Sequence, residues 1–506
     1  MLRIPRRGLA RATLLSALVL LAVQALPVQA APASPAAALK PCRIAGIPTE
    51  LQCGSLQRPL DPARPDGAKI DVHYLVVPAM ARNKQPDAVL MLAGGPGQSA
   101  ISLAARVLPR FARLNNRRDL VFIDQRGTGQ SAPLQCPDDR DDDAPVDNDS
   151  QIRRLDACRA ALEQLPYGRD GGMRFFTTTI AMQDMDAVRE ALAIPQWDLI
   201  GGSYGTRAAL EYLRLFPTKV RRTVIDGVAP PDMVLPVSFS PDTQAALDAL
   251  LQAYGKTHPD LRADWDKLRA SVPRQVTVAQ PLTGKPETIT LDHSLLMRLL
   301  RLPLYQPALA AALPAALHAA AQEGRFESLF GLSTSFASSP STRLAAGMHF
   351  SVVCAEDGPR IAQASDRPGP DYGRMDAELY ERVCKTWPRG AVAADFYKIP
   401  PAPSPVLLLS GGADPVTPPR HAERVAQALG VGHPERVQHV VVPEAGHGVM
   451  GLGCMRDLLF RFIDAKTDAE ALPQDAACAI RIPRPTAYAP VQGPQKTPAA
   501  KKEAAP

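Results

Sequence analysis

The chain has 506 residues, too many for one ordinary core, which indicates either one large domain with an insertion or two domains. Its contents of 46% hydrophobic and 21% charged residues are those of a globular protein. The formal net charge of +6 is spread without a Lys/Arg cluster beyond the N-terminus, so we expect no binding to nucleic acid. The 51 prolines predict many loops and limit long uninterrupted helices.

Residues 1–30 are predicted to be a secretory signal peptide. Several arginines precede an apolar run at 14–26, and Val28-Gln29-Ala30 supplies the small residues of a cleavage site. The alternative is an N-terminal anchor helix, but the run is short for a membrane span. We therefore expect a periplasmic or secreted protein, without stable membrane insertion after cleavage.

The cysteine count fits an exported protein in an oxidising compartment. Eight cysteines fall into four couples that are close in sequence, and the simplest pairing is Cys42 with Cys53, Cys136 with Cys158, Cys354 with Cys384, and Cys454 with Cys478. A zinc site is the competing interpretation. It would need close Cys-x-x-Cys or His-x-x-x-His spacing, which is absent from the sequence, so we expect no metal.

Short apolar runs alternate with helical patterns through much of the chain, which predicts an α/β fold with a mostly parallel sheet and helices on both faces. Residues 31–41, rich in Ala and Pro, are predicted to be a disordered linker, and 483–506 a disordered tail. Strands are predicted at 71–77, 88–93, 119–124, 197–201, 223–226, 406–410 and 437–442.

The alternation breaks at 233–401, which is Ala/Leu-rich and mainly helical in pattern, with helices predicted at 243–254, 261–271, 293–302, 307–322 and 375–387. Because a strand pattern resumes at 406–410, we predict a helical cap inserted between two parts of one core, at 42–232 and 402–482, rather than an independent domain. The acidic run 138–149 is predicted to be a solvated loop, with a calcium site as the alternative.

The sequence Gly-Gly-Ser-Tyr-Gly at 201–205 follows an apolar strand and precedes a helical pattern. This context predicts a nucleophile elbow, in which Ser203 stands on a sharp turn and the glycines avoid collisions with the neighbouring strand and helix. A Gly/Ser-rich strand end that only packs tightly is the alternative.

A serine hydroxyl needs a base to take its proton, and the base needs an acid to orient it. Asp414 and His447 each follow a predicted strand, and the order Ser, Asp, His is the one expected for this sheet topology. Of the nine histidines, only His447 lies at a glycine-flanked strand exit. The loop at 94–97 also follows a strand, so we predict that the Gly95 and Tyr204 amides form an oxyanion hole. A plain Gly/Pro turn is the alternative.

Together, Gly94-Gly95-Pro96-Gly97, Asp124-Gln125-Arg126-Gly127, the elbow, the Asp414 loop and Gly446-His447-Gly448 resemble the α/β-hydrolase peptidases of the proline iminopeptidase family. The larger secreted tripeptidyl-aminopeptidase-like members are the most similar branch. The resemblance spans about residues 40–480 and implies an α/β-hydrolase fold with a mainly helical cap. One departure is Ala93, where the smaller iminopeptidases carry His.

The resemblance also implies roles for residues outside the triad. Asp124 and Arg126 would form a structural pair beside the oxyanion loop. Glu356 or Asp357, in a segment that resembles the family's amine-binding one, would bind the substrate's α-ammonium. A solvent-exposed turn after a disulfide cysteine is the alternative for that segment.

The sequence therefore predicts an exported serine aminopeptidase, prolyl or tripeptidyl in type, which acts on peptides with a free N-terminus and needs no cofactor. A carboxylesterase or lipase-like hydrolase with the same triad is the alternative within enzymes. A catalytically inactive binding module is the alternative outside them. Residue preference and oligomeric state are not predicted.

Overall fold

The protein is described here by a computed structural model that covers residues 39–137, 148–279, 284–337 and 343–488. The strands are β1 (Lys40–Cys42), β2 (Leu51–Pro59), β3 (Lys69–Val77), β4 (Ala88–Leu92), β5 (Asp119–Ile123), β6 (Trp197–Gly202), β7 (Val220–Asp226), β8 (Arg274–Ala279), β9 (Pro286–Leu291), β10 (Val406–Gly411) and β11 (Val437–Val442).

The α-helices are α1 (Ala100–Asn115), α2 (Asn148–Leu162), α3 (Thr178–Ala191), α4 (Tyr204–Leu215), α5 (Leu235–Gly255), α6 (Leu261–Ala270), α7 (His293–Leu304), α8 (Pro307–Ala310), α9 (Leu313–Glu323), α10 (Glu327–Ala337), α11 (Ala346–Glu356), α12 (Met375–Cys384), α13 (Pro419–Leu429), α14 (Met455–Asp464) and α15 (Asp468–Ala471). Among the described helices, none has both the length and the apolar character that crossing a membrane requires.

Nine strands form one sheet in the order β1-β2-β3-β5-β4-β6-β7-β10-β11. The pairs β1–β2, β2–β3 and β3–β5 are antiparallel, and all pairs from β5 to β11 are parallel. This arrangement confirms the predicted α/β class with a mostly parallel sheet. The loops after β4, β6, β7, β10 and β11 consequently meet at one edge of the sheet.

Helices cover both faces of the parallel strands, and alternate strand residues point to opposite sides. Leu199 packs in a core with α3, α4 and α13, whereas the next residue, Ile200, packs in a second core with α1 and α14. The same alternation separates Leu408 from Leu407 and Leu409. Burial on both faces explains why these strands are apolar throughout.

The inserted segment divides between two cores. Helices α5, α6, α7, α9 and α10 and the β8–β9 hairpin share a separate hydrophobic cluster. Helices α11 and α12 instead contribute to the cluster that covers one face of the main sheet, through residues such as Val352 and Val383. The second half of the insertion is therefore packed directly against the sheet's helical layer.

All four predicted disulfides are confirmed. Cys42–Cys53 joins β1 to β2, Cys136–Cys158 fastens a loop to α2, and Cys454–Cys478 closes the chain after the last sheet strand. Cys354–Cys384 joins α11 to α12. These bonds use every cysteine in the chain and fit an exported protein.

Several predicted boundaries differ from the structure. Strand β1 begins at Lys40, inside the segment predicted to be disordered, because it pairs with β2. Part of the predicted tail is also ordered by contacts: Tyr254 Oη donates to the Pro485 carbonyl (2.7 Å), and the Tyr488 amide donates to the Ala311 carbonyl (2.8 Å). The predicted signal peptide, most of the acidic run and residues 489–506 lie outside the described residues.

Candidate active site

Ser203 stands between the end of β6 and the start of α4, as predicted for a nucleophile elbow. Its backbone adopts φ 55° and ψ −125°, a conformation that costs free energy for a residue with a side chain. The Ser203 amide donates to the Asp226 carbonyl at the end of β7 (2.9 Å), which helps to hold this turn. The serine side chain is presented at the carboxyl edge of the sheet.

The two glycines that flank the turn cannot carry side chains. A Cβ on Gly201 would lie 2.4 Å from the Gly205 carbonyl oxygen, and a Cβ on Gly205 would lie 2.2 Å from the Leu92 carbonyl oxygen. Both obstructing atoms are backbone and cannot move aside cheaply. The predicted reason for glycine at these positions is confirmed.

The structure brings Asp414 and His447 together. Asp414 follows β10, His447 follows β11, and His447 Nδ1 lies 2.8 Å from Asp414 Oδ2. Asp414 is 1% exposed, and its Oδ1 accepts hydrogen bonds from the Val416 and Thr417 amides (both 2.9 Å). Contacts to both of its oxygens therefore hold the Asp414 carboxylate in place.

Thr417 and Tyr305 also contact this pair, and sequence reasoning missed both. The Thr417 hydroxyl donates to Asp414 Oδ2 (2.7 Å) and lies 3.1 Å from His447 Nδ1. The Tyr305 carbonyl accepts from the His447 amide (2.9 Å), and its ring meets the imidazole edge-on at 5.1 Å between centroids. Thr417 lies in the same loop as Asp414, and this closeness in sequence was the only feature that could have indicated its contact with the carboxylate. Tyr305 comes from the inserted segment, and nothing local marks it.

The charges of the pair reinforce each other. Burial disfavours the imidazolium form, but the Asp414 carboxylate outweighs this, so the pKa of His447 is raised above its usual value. Burial also opposes the charge on Asp414, but His447 and the loop amides outweigh it, so the pKa of Asp414 is lowered. At neutral pH the acid is therefore ionised and able to stabilise a proton on His447.

Ser203 and His447 each adjoin the turn after β7. The Ser203 amide bonds Asp226, and a Cβ on the next residue, Gly227, would lie 3.1 Å from His447 Cε1. Among the hydrogen bonds of the described residues, none joins the Ser203 hydroxyl to His447. Such contacts often tighten only around bound substrate.

The predicted oxyanion loop lies against the serine. A Cβ on Gly94 would be 3.2 Å from Ser203 Cβ, which places the loop after β4 beside the elbow. Tyr204 is the first residue of α4, so its amide has no partner within the helix. Across the described segments, neither the Gly95 amide nor the Tyr204 amide donates a hydrogen bond to protein. Within these segments, both amides are therefore unused donors beside the serine.

Asp124 and Arg126 are structural, but the prediction that they pair with each other is wrong. Asp124 accepts from the Ser99 hydroxyl (2.7 Å) and the Ile101 amide (3.1 Å), which anchors the start of α1. Arg126 instead forms two hydrogen bonds to Asp184 on α3 (2.7 and 2.9 Å). Because Asp184 lies far away in sequence, no local pattern indicated this partner.

Glu356 and Asp357 lie at the end of α11, where the alternative interpretation of a solvent-exposed turn is wrong: they are 1% and 0% exposed. Both contact the buried guanidinium of Arg207 on α4. Asp357 receives two hydrogen bonds from it (2.9 and 3.1 Å) and one from the Leu235 amide (3.1 Å). Glu356 lies 3.3 Å from Arg207 and accepts from the Thr178 amide (2.9 Å).

This cluster is linked to the elbow. The Tyr204 and Thr178 hydroxyls are 2.6 Å apart, and Thr178 in turn bonds Glu356. Two carboxylates face one guanidinium, so the cluster holds one excess negative charge when both are ionised. Burial outweighs the attraction of Arg207 and raises the pKa of Glu356 to about 7. Within the described part of the chain, no group of three or more His, Cys, Asp or Glu side chains could hold a metal ion.

A mostly parallel sheet with a serine on a strained turn after a central strand defines the class of α/β hydrolases. The chain belongs to the alpha/beta hydrolase fold family, whose model matches residues 87–453.

Three curated relatives match parts of the chain. The chain is 30% identical over 256 residues to a tripeptidyl aminopeptidase of Streptomyces coelicolor, and the match covers 45% of this chain and 47% of that protein. It is 31% identical over 222 residues to the serine protease Hip1 of Mycobacterium tuberculosis (38% and 39% covered). It is 28% identical over 214 residues to carboxylesterase B of the same species (40% and 41% covered). The matches span less than half the length of these relatives, and those to the two peptidases confirm the predicted resemblance.

Proposed function

We propose that the protein is an exported serine exopeptidase that removes residues or short peptides from the N-terminus of peptides. The observation that carries this proposal is the 2.8 Å contact between Asp414 and His447 at the same sheet edge as the strained Ser203 turn. The similarity of the chain to a tripeptidyl aminopeptidase and to a serine protease supports a peptide substrate.

The proposed reaction begins when Ser203 Oγ attacks the peptide carbonyl carbon. His447 takes the hydroxyl proton through Nε2, because Nδ1 is engaged by Asp414. The Gly95 and Tyr204 amides stabilise the negative oxygen of the tetrahedral intermediate. His447 then gives its proton to the leaving amine, and the acyl group remains on Ser203. Water, activated by His447, releases the acyl group and restores the serine.

The triad is tested with Ser203→Ala in purified protein. We expect peptide hydrolysis to fall by about 10³-fold or more and labelling by a fluorophosphonate probe to disappear. Ser335→Ala is the matched control, because the exposed Ser335 hydroxyl bonds the Gly331 carbonyl within its own helix. Hydrolysis that survives Ser203→Ala would exclude the mechanism.

We propose Glu356, rather than Asp357, as the residue that favours binding of the substrate's α-ammonium. Asp357 uses both oxygens on Arg207 and also accepts from the Leu235 amide, whereas Glu356 has one oxygen on the Thr178 amide and the other at the longer distance of 3.3 Å from Arg207. The excess negative charge lies in a buried medium, where it favours a nearby cation more strongly than it would in water.

Glu356→Gln tests this role. We expect KM for substrates with a free N-terminus to rise about tenfold, while KM for N-acetylated substrates stays unchanged. Glu163→Gln is the control, since Glu163 forms only a partly exposed pair with Arg159. Equal effects on both substrate types would argue against an amine site at Glu356.

A carboxylesterase is the second candidate, and the similarity to carboxylesterase B favours it. The two functions differ in their dependence on a free amine. An aminopeptidase should hydrolyse free aminoacyl and peptidyl substrates at least about tenfold faster than their N-acetylated forms. An esterase should hydrolyse simple esters with no such preference. Mass spectrometry of peptide products would also give the number of residues released.

Export is supported by the four disulfides. We propose cleavage of the signal peptide after Ala30, with the mature protein in the periplasm or outside the cell. N-terminal sequencing of protein recovered from fractionated cells tests this directly. An intact N-terminus in a membrane fraction would support the anchor helix instead.

A further inference from the structure

Asp226 is a buried carboxylate that lies between the nucleophile and the base. It is the last residue of β7, the strand between β6 and β10, and is 1% exposed. Its carbonyl accepts from the Ser203 amide (2.9 Å). Its side-chain Oδ2 accepts from the Val449 and Met450 amides (both 2.7 Å), which closely follow His447 in the chain. One residue therefore binds both the elbow and the histidine loop.

The turn that follows Asp226 packs against the imidazole. Gly227 has φ +67°, and a Cβ there would lie 3.1 Å from both His447 Cε1 and Thr417 Oγ1. The charged and titratable groups near Asp226 are His447 and Asp414, which come from the loops after two other strands. Asp226 is thus the second carboxylate near His447, on a different strand from Asp414.

The second side-chain oxygen of Asp226, Oδ1, is buried without a hydrogen-bond partner among the described residues. Buried carboxylate oxygens normally have partners, because an uncompensated one is costly. The Val449 and Met450 amides stabilise negative charge only on Oδ2. A positive charge on His447, which forms during the proposed reaction, would stabilise the remaining negative charge of the carboxylate.

We propose that Asp226 is a positioning residue of the active site, which holds the Ser203 turn and the His447 loop in register and uses its negative charge to stabilise protonated His447 alongside Asp414. This inference rests on the proposed use of Ser203 and His447 as nucleophile and base.

The electrostatics agree with this arrangement. Burial raises the pKa of Asp226 to about 6, although the two amides and His447 oppose the rise. The carboxylate is therefore mostly ionised at pH 7 and above. Its charge adds to that of Asp414 in raising the pKa of His447 against the effect of burial. Loss of this charge should lower the pKa of His447.

The test is the pH dependence of kcat/KM for Asp226→Asn, which keeps the shape of the side chain and an oxygen acceptor. The acidic limb reports deprotonation of His447. We expect its midpoint to move to lower pH by on the order of one unit. We also expect the plateau rate to fall about tenfold, because the imidazolium in the transition state loses one carboxylate.

The matched control is Asp264→Asn, which removes an equally buried carboxylate from α6, in the separate hydrophobic cluster of the inserted segment. It should leave the midpoint unchanged. If Asp226→Asn lowers the rate but its midpoint coincides with that of the parent protein, Asp226 is only structural and the proposal is overturned.

A second measurement needs no variant, in case Asp226→Asn does not fold. In the unmodified protein, the ring nitrogens of ¹⁵N-labelled His447 should titrate in two steps, one of them the ionisation of Asp226. A single-step titration would contradict the proposal.

In fluorophosphonate experiments, the inactivation rate of Ser203 should show the same midpoint shift in Asp226→Asn.

Inactivation by a fluorophosphonate does not depend on peptide recognition. A protein that reacts with the probe and shows the shift, but hydrolyses no peptide, would refute the exopeptidase proposal and retain the role of Asp226. If the protein hydrolyses peptides but Asp226→Asn does not shift the pH midpoint, the exopeptidase proposal stands and the role of Asp226 is refuted.

Discussion

Replacing Arg207 with methionine would leave two carboxylates buried without their cation. Arg207 is 0% exposed and is hydrogen-bonded to Asp357 and to the Met233 carbonyl, with Glu356 at 3.3 Å. Methionine fills much of the volume but supplies neither charge nor donors. The variant therefore isolates the electrostatic contribution of the guanidinium to the free energy of unfolding.

The expected loss is large because one partner of a buried ion cluster is removed while the others stay. Such changes cost about 3–5 kcal/mol. Because m-values rise with chain length, we expect a urea m-value above about 3 kcal/mol/M, so the unfolding midpoint should fall by up to roughly 1.5 M. For comparison, Arg424→Met removes a similar two-bond contact with Asp232, but there the arginine side chain is 42% exposed, so we expect at most about 1 kcal/mol.

The loss should also depend on pH. Without Arg207, the pKa of Glu356 should rise further above its value in the unfolded chain, so folding would take up protons. A group with a raised folded pKa stabilises the fold at low pH and loses that contribution as pH rises through the folded pKa. Because the pKa of Glu356 is already about 7 in the parent protein, the deficit of the variant should grow above about pH 7, by at most about 1.4 kcal/mol per pH unit for this carboxylate.

The assay is urea unfolding at pH 5, 6, 7 and 8, followed by tryptophan fluorescence with the disulfides intact. A loss under about 1 kcal/mol at pH 8, or one that is equal at pH 5 and pH 8, would refute this account of the cluster. Equal losses in Arg207→Met and Arg424→Met would refute it as well.

Three further predictions concern single features. Thr417→Val removes a hydroxyl donor from Asp414, so kcat/KM should fall about tenfold, whereas Thr417→Ser should retain most activity. Gly205→Ala puts a Cβ 2.2 Å from the Leu92 carbonyl oxygen, so the melting temperature or soluble yield should fall sharply. An unchanged melting temperature would show that the close approach of these two segments is not needed for stability. Replacing both cysteines of Cys354–Cys384 by serine opens a link across 30 residues and should cost about 2–4 kcal/mol in urea unfolding.

The parts of the site that were predictable are those with a local cause. Ser203, Asp414 and His447 each follow an apolar strand, and the chain shows this pattern without reference to distant residues. The disulfides were predictable for a similar reason, since each joins cysteines that are neighbours in sequence. Topology then brings the strand exits to one edge, which places the three residues near each other.

The parts that were not predictable depend on contacts between distant segments. Arg207 meets Glu356 and Asp357 across 149 and 150 positions, and Arg126 meets Asp184 across 58. Helix α11 was missed because nearly every one of its side chains is buried, so it shows no polar face and no helical period.

Helix α5 was predicted too short, because Pro236 and Pro241 argue against an early start. Pro236 falls in its first turn, where the missing amide costs nothing, so the helix begins at Leu235. Pro241 is accommodated inside its 21 residues, which shows that a proline count does not by itself limit helix length.

The order of the strands explains why the turn after β7 is so constrained. Ser203 follows β6 and Asp414 follows β10, and β7 separates these two strands in the sheet. Adjacent strands are about 4.8 Å apart, so the nucleophile and the acid stand roughly 10 Å apart along the edge. The imidazole, which comes from β11 beyond β10, must reach back across the end of β7 to join them. Gly227 gives the ring that room, and Asp226 is the strand-end side chain beneath the path. A residue in this place either obstructs the base or supports it, and a carboxylate that binds the loop amides after His447 supports it.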